Sequence, residues 1–344
     1  MVILERKIFM ANDILELCKE LPDCCQSFLL ETGTEMATTT RIAYGNEINW
    51  FLDYLINYSS YFCDKDKKTL NIEDIKMITS QDISRYLTMY KDLGRKERTV
   101  ARKRAALSRF FTYLTDNRLI PFNPVISAVK VKVHQSDEVI HLNINEQVEF
   151  LDAINSGDTL DKNKQKYHDK YKLRDTALIL LLLDTGMRVS ELQGINIHDI
   201  DFDKCSVIII RKGGNIQTVY FSDDTRDILY EYLSDKKVKN PTLDYSEPMF
   251  TSLKGERLTV RAIEKLVKKY AVATLPSKGS HLSPHKMRSS FAMAFYEQTK
   301  DILALQRKLG HKNITATNIY AKATDKKMEE TRGILADVRS KSDK

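Results

Sequence analysis

Pro121 and Pro124 break this chain in a way that constrains everything around them. Each lacks a backbone donor and has a fixed φ, so the helical periodicity before them cannot run on through residues 121–124. The stretch that follows, residues 128–141 (AVKVKVHQSDEVIH), is polar, charged and extended in character. Such a break divides a 344-residue chain into two domains, each long enough to bury its own core. The expected boundaries are a first domain over 1–130, a linker over 131–141 and a second domain over 142–344.

The first domain reads as all-helical. Residues 1–20 suggest a short acidic helix. Ile42, Tyr44, Ile48, Trp50, Phe51, Tyr54 and Leu55 recur at three- and four-residue spacing, which predicts a helix over 37–58. Residues 64–74 form a polar loop. Ser80 is placed as the N-cap of a helix through Tyr90, and Thr99 as the start of another to about Thr115. That last helix has an apolar stripe of Val100, Leu107, Phe110, Phe111 and Leu114. Arg98, Arg102 and Arg109 fall on another face, with Lys103 and Arg104 beside them.

The second domain mixes helix and strand. Helices are predicted over 146–154 and 172–183, the latter strongly apolar, with a polar surface loop over 155–172. Residues 205–211 and 217–221 read as two strands joined by Lys212-Gly213-Gly214-Asn215, a hairpin signal. Further helices are expected over 224–233, 259–272, 285–298 and 302–308, with a short strand and turn over 248–258. A final helix over 325–338 carries Met328, Ile334, Leu335 and Val338. The fold class is therefore mainly α, with a small antiparallel β-sheet in the C-terminal domain.

Composition narrows the function. Hydrophobic residues make up 42% and charged residues 29%, which excludes low-complexity and wholly disordered readings. The longest apolar run, 177–183, is far short of a membrane span, which needs about 18 residues. Acids and bases occupy the N-terminal stretch where an export signal needs apolar residues, so a cytoplasmic protein is expected. The five cysteines are odd in number and lack metal-ligand spacing, which suits reduced thiols. The net charge of +7 is unevenly spread. Residues 1–84 hold 8 Lys/Arg against 14 Asp/Glu, a net of −6, whereas residues 85–130 hold 11 against 3, a net of +8. A basic block in a nearly balanced chain points to a polyanion-binding face, or to a merely solvated basic helix.

Five short elements of the second domain could carry chemistry. In Thr185-Gly186-Met187-Arg188-Val189-Ser190-Glu191-Leu192 an apolar helix ends, Gly186 permits a turn and a new helix starts beside Arg188. A guanidinium next to free backbone N–H groups favours an anion, and an Arg188–Glu191 structural bridge fits equally well. Lys212 at a hairpin tip can reach a bound substrate, although most such lysines are only solvated. His285 and Arg288, three residues apart, share a helix face, and a titratable imidazole beside a cation suits phosphate chemistry. His285 could instead cap the turn after Pro284. His311 follows a helix end at Gly310. Tyr320 lies nine residues further on; a phenol is a poor nucleophile unless cations surround it, and many such tyrosines are core filler. Together these groups make a site for attack on a phosphodiester. Arginines neutralise the non-bridging oxygens, histidines handle protons, a lysine protonates the leaving oxygen and a tyrosine attacks. No carboxylates cluster at metal-ligand spacing, so neither metal nor other cofactor is expected.

These elements, in this order, resemble the catalytic domain of the tyrosine recombinases, or phage-integrase family, and within it the Xer type. GMRVSEL is similar to the family's first-arginine motif, HKMR to its H-x-x-R and LGHKN to its second histidine motif. The resemblance implies that Arg188, Lys212, His285, Arg288, His311 and Tyr320 are catalytic, with Tyr320 the nucleophile that forms a 3′-phosphotyrosyl bond without ATP. Residues 20–130 resemble the family's helical core-binding domain more loosely. The resemblance implies a two-domain clamp on duplex DNA, with Arg98, Arg102, Lys103 and Arg109 against the phosphates. It also implies a homotetramer on two DNA sites, alone or with a second recombinase or an accessory translocase, and a C-terminal helix docked on a neighbouring subunit through Ile334, Leu335 and Val338. Ser289 stands where many relatives have histidine. The chain is also too short for the arm-binding domain of lambda-type integrases.

The expected role is chromosome dimer resolution. The alternatives are an integrase, transposase or invertase of a mobile element, a type IB topoisomerase-like enzyme, and a non-catalytic DNA-binding protein.

Overall fold

A computed structural model describes residues 12–133, 139–211, 214–311 and 313–330, without the side chains of Thr315 and 325–330. Lys212, residues 134–138 of the linker and Ile334, Leu335 and Val338 of the expected final helix lie outside the described residues, as does the side chain of Met328. The chain divides into two compact units, Met1–Gln135 and Ser136–Lys344.

The first unit is helical: α1 (Asp23–Glu31), α2 (Thr38–Tyr58), α3 (Ile72–Lys76), α4 (Ser80–Asp92) and α5 (Glu97–Asp116). Its core gathers Phe28, Phe51, Leu55, Tyr86, Phe110 and Phe111, all essentially inaccessible. The predicted stripe of α5 is buried at every position, because those residues return to one face at helical spacing. Two boundaries differ from expectation. Thr79, not Ser80, caps α4, because its side chain accepts from the Asp82 N–H while the Asp82 carboxylate accepts from the Thr79 N–H. Thr99 lies inside α5, which begins two residues earlier at Glu97 and so places an acid in its first turn. Trp50, read as part of the α2 stripe, is 49% exposed.

The second unit is built around α7 (His168–Thr185), which follows α6 (Ile144–Ser156). The apolar run of α7 is buried on nearly all sides, against α6, α9 (Asp223–Lys239) and α11 (Pro284–Thr299). A three-stranded antiparallel sheet orders β1 (Ile200–Asp201), β2 (Ser206–Ile210) and β3 (Ile216–Tyr220), with Ile210 opposite Ile216 at the hairpin end. β1 escaped sequence detection because it is two residues long. The remaining helices are α8 (Val189–Gly194), α10 (Val260–Thr274), α12 (Ile302–Leu309) and α13 (Asn318–Glu330).

Residues 155–172 are not one surface loop. Leu160 is buried, Lys162–Gln165 form a helical turn, and His168 opens α7 with its ring buried and its Nε2 2.6 Å from the Ile154 carbonyl. One apolar side chain and one imidazole staple an otherwise polar stretch. The last helix starts at Asn318 rather than near 325, which puts Tyr320 in its first turn. Asp184 at the end of α7 accepts from the Ser222 N–H (2.8 Å) and the Thr225 hydroxyl (2.6 Å), fixing the exit of β3 beside the turn at Gly186. All five cysteines are free thiols. Among the described residues no helix is long and apolar enough to cross a membrane.

Candidate active site

The site assembles where three chain turns meet. The first is at Gly186, whose φ of +59° places it in the left-handed region. A Cβ there would also sit 2.3 Å from the Phe291 ring, so only glycine fits. The turn delivers Arg188 to the N-cap of α8. Its backbone N–H donates to Glu191 Oε2 (2.7 Å) and its Nη1 to Oε1 (2.8 Å). The bridge to Glu191 and the anion-facing position are both realised, because the Arg188 side chain keeps about a third of its surface exposed.

The second turn is the C-terminus of α12, closed by Gly310 at φ +60°. A helix end leaves carbonyls without intrahelical partners and carries partial negative charge. Here those carbonyls collect guanidinium groups. Arg288, 2% exposed, donates to the Leu309 carbonyl and to that of Gly186, joining the first two turns. Burial and the neighbouring Arg188 pull its pKa down to about 10, so it stays charged at neutral pH. Immediately after Gly310, His311 places Nδ1 3.0 Å from the Thr317 hydroxyl. Partial burial and the charges of Arg288, Arg188 and Arg211 push its pKa down to about 4, so its ring is neutral.

The third turn closes the β2–β3 hairpin, where Arg211 N–H donates to the Asn215 carbonyl at 2.7 Å. Arg211 is a residue that sequence reasoning missed. It is 7% exposed and donates to Gln217 Oε1, Glu191 and the carbonyls of Lys308 and Leu309. A basic residue directly before Lys212 was the available signal, but nothing in a hairpin sequence separates a solvated arginine from a buried one. Arg188, Arg211, Gln217, Gly310 and His311 line an open cleft of about 420 Å³.

Besides the buried Arg288, two expected members do not line the cleft. Tyr320 is 3% exposed and packs among Ala292, Met293, Leu305 and Leu309. Burial raises its pKa, opposed by a hydrogen bond with Ser289 and by the Arg288 charge. The phenol is thus held protonated. His285 is exposed in the first turn of α11. Partial desolvation, then the charges of Lys286, Arg288 and Arg188, lower its pKa. It does not cap the turn after Pro284 through its side chain in any described contact.

In the first unit the four basic candidates separate. Arg98 and Arg102 are exposed on α5. Arg109 pairs with Glu35. Lys103 was expected on the DNA face and is instead buried, 4% exposed, with its Nζ 2.8 and 2.9 Å from the two Glu47 oxygens. It lies over the rings of Tyr90 (3.8 Å) and Trp50 (4.8 Å), and Tyr86 donates to the same carboxylate. Its place next to Arg102 in sequence turns it inward by about 100° on the helix, which is the reason for the correction.

Helical first unit, mixed second unit and a cation-lined cleft fronting a buried tyrosine define a tyrosine recombinase, an enzyme that cleaves and rejoins DNA. The chain belongs to the phage integrase family: the profile described as "Phage integrase family" matches residues 145–327, and "Phage integrase, N-terminal SAM-like domain" matches residues 27–118. It is 32% identical to tyrosine recombinase XerC of Haemophilus influenzae (strain PittEE) over 259 residues, 72% of this chain and 81% of that protein. It is 26% identical to tyrosine recombinase XerD of Bifidobacterium longum over 313 residues, 89% and 94% of the two chains. In fold it is similar to XerH recombinase in a post-cleavage complex with palindromic difH DNA, with a TM-score of 0.63 at 20% identity, covering 87% and 80%. It is also similar to the Tn1549 transposon integrase bound to circular intermediate DNA, with a TM-score of 0.62 at 20% identity, covering 89% and 99%.

Proposed function

We propose that this Xer-like recombinase cleaves double-stranded DNA at a specific site through Tyr320. The observation that carries the reading is the convergence of Arg188, Arg288 and His311 on the turns at Gly186 and Gly310, with Tyr320 packed among Ala292, Met293, Leu305 and Leu309 and within the electrostatic reach of Arg288. The Tyr320 oxygen attacks the scissile phosphorus, the bond to the 5′ oxygen breaks, and a 3′-phosphotyrosyl ester forms. The phenolic proton passes to His285, whose lowered pKa leaves it neutral and able to accept. Arg188 and Arg288 neutralise the non-bridging oxygens, and neutral His311 donates a hydrogen bond to one of them. Lys212 gives its proton to the departing 5′ oxygen. The reverse sequence rejoins the strand, and the ester conserves the bond energy, so no ATP is needed. Because Tyr320 starts buried, its side chain must swing toward the cleft when DNA enters.

In the same reading, 1–130 is a helical DNA-binding domain, 131–141 a linker and 142–344 the catalytic domain. Arg98 and Arg102 contact phosphates, and Arg109 joins them when it exchanges Glu35 for DNA. Strand exchange takes place in a homotetramer on two sites, in the cytoplasm. Within this reading the role is resolution of chromosome dimers.

The test is covalent trapping. The protein is incubated with fragmented DNA from its source cell, denatured with detergent, and the attached DNA is sequenced. Wild type should retain one palindrome-like locus and Tyr320→Phe none. Equal trapping by both proteins would overturn the nucleophile assignment. A locus at a mobile-element end would replace dimer resolution with integration.

A further inference from the structure

We propose that Arg211 is a positioning residue for the cleavage reaction: its guanidinium ties the Glu191 carboxylate that holds Arg188 to the helix end that presents His311. This inference rests on the recombinase reading above. Four contacts carry it. Arg211 Nη1 reaches Glu191 Oε2 at 3.2 Å and the Leu309 carbonyl at 3.0 Å, its Nη2 reaches the Lys308 carbonyl at 2.7 Å, and its Nε reaches Gln217 Oε1 at 2.7 Å.

A five-donor planar fork is the one side chain that can satisfy a carboxylate, two orphan carbonyls and an amide together. Two of these partners, Glu191 and the Leu309 carbonyl, stand one step from a group assigned to the chemistry. Glu191 holds both the backbone and the side chain of Arg188, while the Leu309 carbonyl is shared with Arg288. Gly310, whose absent side chain leaves room for Arg211 Nε, precedes His311; a Cβ there would lie 2.9 Å from that nitrogen. The guanidinium is committed to protein acceptors and nearly buried, so it acts through Arg188, Arg288 and His311 and not as a phosphate ligand.

Lysine at this position keeps the charge and loses the fork, whereas methionine loses both. The charges facing His311 are Arg188 at the start of α8, Arg211 at the end of β2, and His285 and Arg288 on α11. Removing one of these four should therefore move its titration.

The experiment uses the full chain and a synthetic duplex of the trapped site, nicked so that the adduct accumulates. Single-turnover adduct formation is measured against pH, DNA affinity by anisotropy, and folding by thermal melts. In Arg211→Met the cleavage rate should fall about 10²-fold, as for a reacting group misplaced by ~1 Å, at nearly unchanged DNA affinity. The acidic limb of its pH profile should move to higher pH. Arg211→Lys should restore the position of that limb but not the rate. Should Arg211→Met fail to fold, Gln217→Met, which removes the Nε acceptor and a weaker bond to the Arg307 carbonyl at 3.4 Å, should give a smaller loss of rate at constant affinity. Wild-type cleavage rates in folded Arg211→Met would overturn the inference. So would a loss of DNA affinity that accounts for the whole loss of rate, which would make Arg211 a phosphate ligand. A wild-type protein that forms no adduct would instead overturn the recombinase reading itself.

Discussion

Glu191 sits between two arginines: its Oε1 accepts from Arg188 Nη1 at 2.8 Å, and its Oε2 lies 3.2 Å from Arg211 Nη1. One buried carboxylate therefore organises two cations drawn from different elements, at the start of α8 and the end of β2. With the Arg188 N–H also bonded to it, this anion accepts from three donors on two residues. It holds the turn, offsets part of the arginine repulsion and orients Arg188 toward the cleft.

Glu191→Gln removes the charge and turns one acceptor oxygen into a donor facing guanidinium. Breaking one side of a buried ion network costs about 3–5 kcal/mol. The thermal midpoint should drop markedly and adduct formation should fall at least as far as in Arg188→Ala. A variant with wild-type melting and cleavage would show that the bridge is dispensable.

The pH dependence of stability follows from His311. Its folded-state pKa of about 4 lies below its ordinary value of 6.5, so the unfolded chain takes up a proton before the folded one does. The stability associated with the neutral ring is fully present above pH 6.5 and is lost as pH falls from there through about 4. His311→Asn should show a shallower loss of melting temperature over that window. Parallel curves for the two proteins would contradict the assigned shift.

The basic residues of α5 should divide by burial. Arg98→Ala and Arg102→Ala should weaken DNA binding and lower the slope of log affinity against log salt by about 1 each, with melting unchanged. Lys103→Met should leave that slope intact and lower stability, because Glu47 is stranded beneath Tyr86. A salt slope that responds to Lys103→Met but not to Arg102→Ala would reverse the assignment.

Cleavage should proceed in excess EDTA. In the proposed mechanism the charge on the phosphate is met by Arg188, Arg288 and His311, and no step is assigned to a metal ion. A strict requirement for Mg²⁺ in the adduct assay would contradict this.

Much of the architecture was legible from local signals. Apolar spacing located α2, α5 and α7 to within a few residues, and the Lys212–Asn215 turn identified the hairpin. The two-residue β1 carries too little pattern to be seen, and the α7 start was obscured because its first turn is polar on the outside while His168 is buried. Lys103 was misread for a related reason: a helix with a continuous basic face and a helix with one inward lysine have almost the same sequence, and only the position of Glu47 on α2 decides between them.

By itself the sequence determined most of the helices, the hairpin and the order of the candidate groups along the chain, because periodicity, capping and turn chemistry act within a few residues of each other. The tertiary structure decided which charges face solvent and which face each other. Arg288 and Arg211 became buried guanidinium groups because α12 ends against them with unpaired carbonyls, and Tyr320 became a withdrawn phenol because the first turn of α13 falls over an apolar pocket of α11 and α12. The guanidinium contacts join residues far apart in sequence, 21 positions for Arg288 with Leu309, 98 for Arg211 with Leu309 and 102 for Arg288 with Gly186, and there the side chain's partner, not its own identity, sets its state.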